Sequence, residues 1–152
     1  MDRAEAVQRD QVMRAFFEGK GWDHNDEFKL KRGLVLRSAE LIPGYPFIVD
    51  DEWDVVPGKT NNGRGDLVFT DGEGGFAVVE VKYIDLDRSG STARSKRTDS
   101  RKKVVEQAMD YARLLYARVG PAARVEAYSF TNERPGPVLE GVVSLDQTFG
   151  MR

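Results

Sequence analysis

Three charged residues stand at the ends of two apolar runs near the middle of this 152-residue chain. Asp66 comes directly before the run 67–69, and Glu80 and Lys82 follow the run 76–79. Charged groups are costly in an apolar environment unless they are paired or bind a metal ion. Carboxylate oxygens are hard ligands that suit Mg²⁺ or Mn²⁺. The two acids therefore mark this stretch as a candidate site.

A turn sequence joins the two apolar runs. The segment Asp71-Gly72-Glu73-Gly74-Gly75 places Asp-Gly between residues that favour strands, which is typical of a β-hairpin. Strand side chains alternate between two faces, so Val78, Glu80 and Lys82 share one face. The pattern predicts a hairpin in which Glu80 and Lys82 face Asp66 of the partner strand.

A helix is predicted from about residue 100 to 119, where Gly120-Pro121 would end it. Gln107 and Tyr111 are four residues apart and therefore share a face of this helix, in line with Lys103. The apolar stripe that predicts the helix consists of Val104, Ala108, Ala112, Leu115 and Val119.

The segment before this helix is polar and basic. From Arg88 to Lys103, seven of sixteen residues are basic and one, Asp99, is acidic. The composition predicts a mobile loop that leads into the helix, with the N-cap among residues 98–100. Basic side chains beside the acids would contact a nucleic-acid backbone without reading its sequence. The candidates are Arg94, Lys96, Arg97, Arg101, Lys102 and Lys103.

The other segments predict an α/β protein. A first helix is expected over residues 3–19, and it carries Glu5 and Asp10. Residues 28–36 fit a period of two, although 34–42 fit a short helix equally well. Further strands are expected at 47–49, 53–56, 125–131 and 138–145. The step from strand 76–82 through the helix to strand 125–131 should be a parallel crossover.

Composition limits the functional classes. The net charge is −2 and the pI about 5.5, so any nucleic-acid contact must come from a local patch. The absence of cysteine excludes disulfides, thiolate zinc sites and cysteine-bound iron–sulfur clusters. His24, the only histidine, lies in a polar stretch and is expected in a surface loop. With no signal sequence or apolar span in view, we expect one soluble, cytoplasmic domain over residues 1–152.

Asp66 followed by Glu80-Val81-Lys82 resembles the motif of the PD-(D/E)XK nuclease superfamily. Gly65 stands where the usual signature has proline. The segment from Gln107 to Tyr111 resembles the QxxxY element of the RecB-like branch, and the run from Glu5 to Gln8 is similar to a first helix that supplies an extra carboxylate. The resemblance implies a three-layer α-β-α sandwich with a central mixed β-sheet and a restriction-endonuclease-like αβββαβ core.

The resemblance also implies a chemistry. Mg²⁺ or Mn²⁺ would be held by Asp66, Glu80 and the Val81 carbonyl, with Glu5 as a further ligand and Asp10 as the competing choice. Lys82 would orient the attacking water, and Gln107 and Tyr111 would support the site from the helix.

These residues predict a metal-dependent nuclease that hydrolyses phosphodiester bonds, with DNA favoured over RNA. The alternatives are a non-catalytic nucleic-acid-binding module or a protein-interaction subunit on the same fold. A homodimer or a larger partner would supply target selection, because a chain of 152 residues has little beyond a catalytic core.

Overall fold

The hairpin that carries the charged residues lies at the centre of a five-stranded mixed sheet. A computed structural model describes residues 1–54, 64–87 and 89–145. The helices are α1 (Arg3–Glu18), α2 (Asp26–Leu36), α3 (Ser38–Leu41) and α4 (Ser91–Val119). The strands are β1 (Phe47–Asp54), β2 (Arg64–Thr70), β3 (Gly75–Lys82), β4 (Arg124–Thr131) and β5 (Val138–Val143).

The strands lie in the order β1-β2-β3-β4-β5. β2 and β3 pair as the predicted antiparallel hairpin, with Leu67 opposite Val79. β3 and β4 pair in parallel, as the strand–helix–strand step predicts, and Glu80 lies opposite Ser129. The other pairs are antiparallel. β3 therefore has a neighbour on each side, and its C-terminal end is the point from which the chain crosses over.

Alternation along the strands sends apolar side chains to both faces of the sheet. Val68 and Val78 pack with Ala108 and Ala112 of α4 in one buried cluster. Leu67 and Val79 belong to a second cluster, together with Phe17 of α1 and Leu34 and Val35 of α2. Helices thus contribute to the core on either face, and the chain is an α/β protein with a mixed sheet.

The prediction of an extended segment at 28–36 is wrong, because the chain forms α2 there. Asn25 caps this helix, and its side-chain oxygen accepts a hydrogen bond from the Phe28 N–H at 3.0 Å. Leu34 and Val35 are buried, whereas Lys29 is exposed. A cap and a one-sided apolar face outweigh the period-two spacing of the larger side chains.

The prediction of a loop over residues 88–101 is also wrong where the structure describes the segment, because α4 begins at Ser91. Arg, Lys and Ala are good helix formers, so these residues extend the helix without an apolar stripe of their own. Gly120 ends α4 with φ 100°, as its position predicts.

The remaining predictions concern the first helix, the single histidine and the strand that follows α3. α1 forms as expected, and His24 lies in an exposed loop. The strands predicted at 47–49 and 53–56 are one strand as far as Asp54, and residues 55 and 56 lie outside the described residues. No helix in the described part of the chain combines the length and the apolar content that crossing a bilayer requires.

Candidate active site

Asp66 and Glu80 meet where the pairing of β2 with β3 ends. Beyond the pair Leu67–Val79, side chains bridge the strands in place of backbone pairs. The Asp66 N–H donates a hydrogen bond to Glu80 Oε2 at 3.0 Å, and the Val81 N–H donates to Asp66 Oδ2 at 2.8 Å. Each carboxylate thus accepts a hydrogen bond from a backbone N–H of the partner strand, and these two bonds hold the acids beside each other.

Burial makes both acids reluctant to ionise. Glu80 is 3% exposed, and burial together with the charge of Asp66 raises the pKa of Glu80 to about 9. Burial raises the pKa of Asp66 to about 6, against the opposing effect of the Val81 hydrogen bond. Within the described residues, no donor reaches Glu80 Oε1. A buried carboxylate with one oxygen lacking a partner is costly unless a proton or a cation neutralises it.

The two acids open into a cavity of about 350 Å³ between the end of β3, α2 and α4. Predicted site residues from separate parts of the chain, including Lys82 at the end of β3 and Gln107 of α4, meet there. The residues that line it are Glu27, Asp66, Glu80, Val81, Lys82, Ser100, Lys103, Val104 and Gln107. The side chain of Lys82 is exposed, on the same face of the strand as Glu80.

Tyr111 lies near the acids without lining this cavity. Burial, followed by the negative charges of Glu80 and Asp66, raises the pKa of its phenol. Its ring meets the indole of Trp53 edge to face, with the ring centres 6.2 Å apart. The one-turn spacing from Gln107 is therefore consistent with a shared helix face that looks toward the site.

The first helix does not bring an acid to this cavity. Glu5 pairs with Arg9 at 3.1 Å, and nearly half of its side chain is exposed. Asp10 accepts hydrogen bonds from Arg14 Nε and from the Ile48 N–H, each at 2.9 Å, and so ties α1 to β1. Glu5 and Asp10, the two acids predicted as alternative metal ligands from the first helix, therefore lie outside this cavity.

Sequence reasoning missed two site residues on α2. Glu27 lines the cavity, and Lys31 is 6% exposed. Lys31 Nζ lies 2.5 Å from Asp51 Oδ1 and 3.7 Å from Asp66 Oδ1. Burial lowers the pKa of Lys31, but the charges of Asp51 and Asp66 raise it on balance. The spacing of four between Glu27 and Lys31 would have indicated a shared face, had α2 been predicted as a helix.

Gly65 lies against the indole of Trp53. These residues are paired between β1 and β2. A Cβ at position 65 would come closer to the Trp53 ring than any real contact allows. Trp53 also packs against Tyr111 and beneath the guanidinium of Arg118. The absence of a side chain at position 65 therefore lets a large aromatic residue pack beside Asp66.

The α4 residues predicted to bind nucleic acid fall into three groups. Lys96, Arg97 and Lys103 line cavities at the N-terminal half of the helix. Arg101 pairs with Glu133, and its Nη2 lies 2.6 Å from the glutamate Oε2. Arg94 and Lys102 form the third group, which is exposed and lines neither of these two cavities. The structure therefore divides a set that the sequence predicted as one strip.

The donor set suits one hard cation held mainly by two acids. Among residues 1–54, 64–87 and 89–145, no group of three or more His, Cys, Asp or Glu side chains is arranged to hold a metal. Asp66 and Glu80 present hard oxygen atoms in a cavity that Glu27 also lines. Carboxylates of this kind, supplemented by water, fit Mg²⁺ or Mn²⁺.

Comparison with models of protein families, with characterised proteins and with solved structures finds no match to this chain. What the fold and the site define is a class: an α/β protein with a buried glutamate, an adjoining partly buried aspartate and a lysine at one end of a central strand. Its function has to be argued from those residues.

Proposed function

We propose that the chain is a metal-dependent nuclease that hydrolyses phosphodiester bonds, with DNA favoured over RNA as substrate. One observation carries the proposal. Asp66 and Glu80 are held together by reciprocal hydrogen bonds, no donor of the described residues reaches Glu80 Oε1, and Lys82 lines the same cavity. A purely structural sheet has no need for a buried glutamate beside a second, partly buried acid, because such a pair costs stability.

Asp66 and Glu80 would hold Mg²⁺ or Mn²⁺, and the Val81 carbonyl is the third ligand that the family resemblance implies. Glu27 replaces Glu5 as the candidate for a further acid, because it lines the cavity. When bound, the cation polarises the phosphate and makes a bound water acidic enough to react.

The protein side chains position the substrate and handle its charge. Lys82 carries an exposed ammonium group two residues beyond Glu80, which suits it to orient the water and to offset charge that develops on the phosphate. Gln107 approaches from α4 as an amide donor. Tyr111 packs against Trp53 behind the acids and would steady them, acting as a positioning residue.

The element order supports assignment to the PD-(D/E)XK superfamily. α1, the strands β1 to β3, α4 and β4 follow the αβββαβ order of a restriction-endonuclease-like core, and core clusters on both faces fit a three-layer sandwich. The two acids lie on neighbouring strands of the hairpin, where that superfamily places them. A second copy or a larger partner that selects the target belongs to the same proposal.

Cleavage of DNA tests the proposal directly. Labelled single- and double-stranded DNA is incubated with the protein and Mg²⁺ or Mn²⁺, and products are resolved on a gel. Glu80→Ala and Lys82→Ala should abolish cleavage, whereas Glu73→Ala, which removes an exposed acid from the turn of the same hairpin, should not. Cleavage that survives Glu80→Ala would refute the assignment.

Metal binding has a readout that is independent of turnover. A cation present at about 100 times its Kd stabilises the folded state by about 2.7 kcal/mol. Thermal unfolding with Mn²⁺ should therefore shift upward in the wild type, and the shift should vanish in Asp66→Asn. An equal shift in both proteins would place the cation elsewhere.

A second function, nucleic-acid binding without turnover, is favoured by one observation. Only two acids adjoin directly, and no larger ligating group is present in the described segments. Such a module would bind DNA in a salt-dependent manner, would lose binding when Arg94, Lys96 and Arg97 are neutralised, and would show no cleavage with either cation.

A further inference from the structure

A second cavity adjoins the candidate active site along α4. It encloses about 220 Å³ and shares Lys82 and Ser100 with the first cavity. One wall is the segment Tyr83-Ile84-Asp85, which follows β3, and the other is the N-terminal part of α4. The α4 residues that line it are Ala93, Lys96, Arg97 and Ser100.

The two cavities differ in charge. Glu27, Asp66 and Glu80 line the first cavity, whereas Asp85 is the one acid among the lining residues of the second, against Lys82, Lys96 and Arg97. Arg97 Nη1 lies 3.4 Å from the Asp85 carbonyl oxygen, which anchors it across the cleft. A cavity lined mainly by acids therefore adjoins one lined mainly by basic residues.

The lysines of these cavities form no ion pair with the residues that the structure describes. In the described part of the chain, no acidic group lies within pairing distance of Lys82, Lys96 or Lys103. Arg101, by contrast, already has a carboxylate partner in Glu133. The ammonium groups of these three lysines are thus available to a ligand. Lys96, Ser100 and Lys103 follow the helical repeat and therefore share one face of α4.

An aromatic ring stands at the wall of the second cavity. Tyr83 is partly exposed, and its backbone N–H is 3.3 Å from Glu27 Oε1, so its position is fixed relative to the first cavity. A partly exposed ring in the wall of a cavity that Lys82 and Lys96 also line combines the stacking platform and the positive charge that proteins use to bind single-stranded nucleic acids.

We infer that the second cavity is a nucleotide subsite for single-stranded nucleic acid. Lys96 contacts the phosphate next to the scissile one, and Tyr83 stacks on the unpaired base of that nucleotide. The inference rests on the proposed function, since it is the acids of the first cavity that define which phosphate is cleaved. The cavity has a wall on each side and a volume of about 220 Å³, so the subsite is proposed for one unpaired nucleotide.

Binding measured in a Glu80→Gln background tests the subsite without turnover. Fluorescence anisotropy follows a labelled oligothymidine of about 12 nucleotides, a length within the range of single-strand sites, over a series of salt concentrations. Lys96→Gln should weaken binding and reduce the slope of log K against log salt by about 0.7, the value for one lost phosphate contact on a single strand. Lys102→Gln removes the same charge from an exposed position of the same helix and should leave the slope unchanged.

The stacking contact is tested at Tyr83. Tyr83→Ala should weaken binding about five- to 150-fold, which corresponds to the loss of one base stacked on an aromatic ring. Tyr83→Phe keeps the ring and should bind as the parent does. Blunt duplex DNA of the same length should bind more weakly than the single strand and should be insensitive to Tyr83→Ala.

The outcomes separate the subsite from the proposed activity. Equal effects of Lys96→Gln and Lys102→Gln, an unaffected Tyr83→Ala, or tighter binding of the duplex would overturn the subsite, even if the wild type cleaves DNA. The predicted binding pattern in a protein that never cleaves with Mg²⁺ or Mn²⁺ would support the subsite and overturn the nuclease assignment.

Discussion

Lys31 is the one buried cation beside the acids of the site, within the part of the chain that the structure describes, and its removal has a calculable effect. Its ammonium group lies 2.5 Å from Asp51 Oδ1 and 3.7 Å from Asp66 Oδ1, with 8% of the side chain exposed. Lys31→Met keeps the apolar length of the side chain and deletes the charge. Asp51, whose side chain is 11% exposed, would then be buried without its partner.

The expected loss follows from that burial. Removal of one partner of a buried ion pair typically costs about 3–5 kcal/mol, because the remaining charge stays uncompensated. Proteins of this size shift by roughly 2–4 °C per kcal/mol, so the melting temperature should fall by about 6–20 °C. That loss is a large fraction of an ordinary unfolding free energy of about 5–15 kcal/mol.

Urea unfolding followed by circular dichroism measures the effect. Lys29→Met, on an exposed position of the same helix, should change the unfolding free energy by no more than about 0.5 kcal/mol. Adding Asp51→Leu to Lys31→Met should recover most of the loss, since an apolar replacement of a buried pair is often neutral. A loss below about 1 kcal/mol for Lys31→Met, the size of an exposed pair, would refute the reasoning.

Two further predictions concern packing and pH. Gly65→Ala should cost about 1–3 kcal/mol, because the added methyl group collides with Trp53. Gly33→Ala should stabilise α2 by about 0.5–1 kcal/mol, because an added Cβ there meets nothing within 4 Å. Urea unfolding measures both variants, and a change of the unfolding free energy in the same direction for both would contradict the packing argument. In metal-free buffer the unfolding free energy should fall from about pH 5 to about pH 9, because folded Glu80 keeps its proton up to a pKa of about 9, whereas the unfolded chain releases it near 4.5. A stability that rises over this interval would contradict the assigned burial.

The hairpin and its acids were predictable because the information is local. Alternation in two short runs, with an Asp-Gly turn between them, fixes which residues share a face, so Asp66 and Glu80 could be placed opposite each other before any fold was known. The apolar stripe on the C-terminal half of α4 is equally local, and it predicted the helix that carries Gln107 and Tyr111 on one face.

The missed features depend on contacts between distant segments. Glu27 and Lys31 reach the site from a helix whose own apolar spacing is ambiguous, and only docking on the sheet buries Lys31. The N-terminal half of α4 carries no apolar stripe, because its exposed residues extend beyond the buried contacts that begin at Val104. The need for glycine at position 65 could not be predicted either, because it depends on the indole of Trp53 on the neighbouring strand.

Two glutamates on neighbouring strands should respond in opposite ways to the same substitution. Glu126 Oε1 accepts hydrogen bonds from the hydroxyls of Tyr45 at 2.6 Å and Tyr128 at 2.7 Å, and Oε2 accepts one from Arg124 at 2.8 Å. Although burial alone raises it, these donors lower the pKa of Glu126 on balance. Its charge is therefore stabilising above the ordinary pKa of a glutamate, and Glu126→Gln should cost about 1–3 kcal/mol.

Glu80→Gln should instead raise the unfolding free energy at neutral pH in metal-free buffer. The amide oxygen can still accept the hydrogen bond from the Asp66 N–H, while the cost of protonating a buried carboxylate on folding disappears. A residue that stabilises the protein when it is replaced is retained for something other than stability, which is the trade-off expected of a cation ligand. Urea unfolding of both variants decides the matter: a loss of stability in Glu80→Gln similar to that in Glu126→Gln would make Glu80 a structural carboxylate and remove the main support for a metal site.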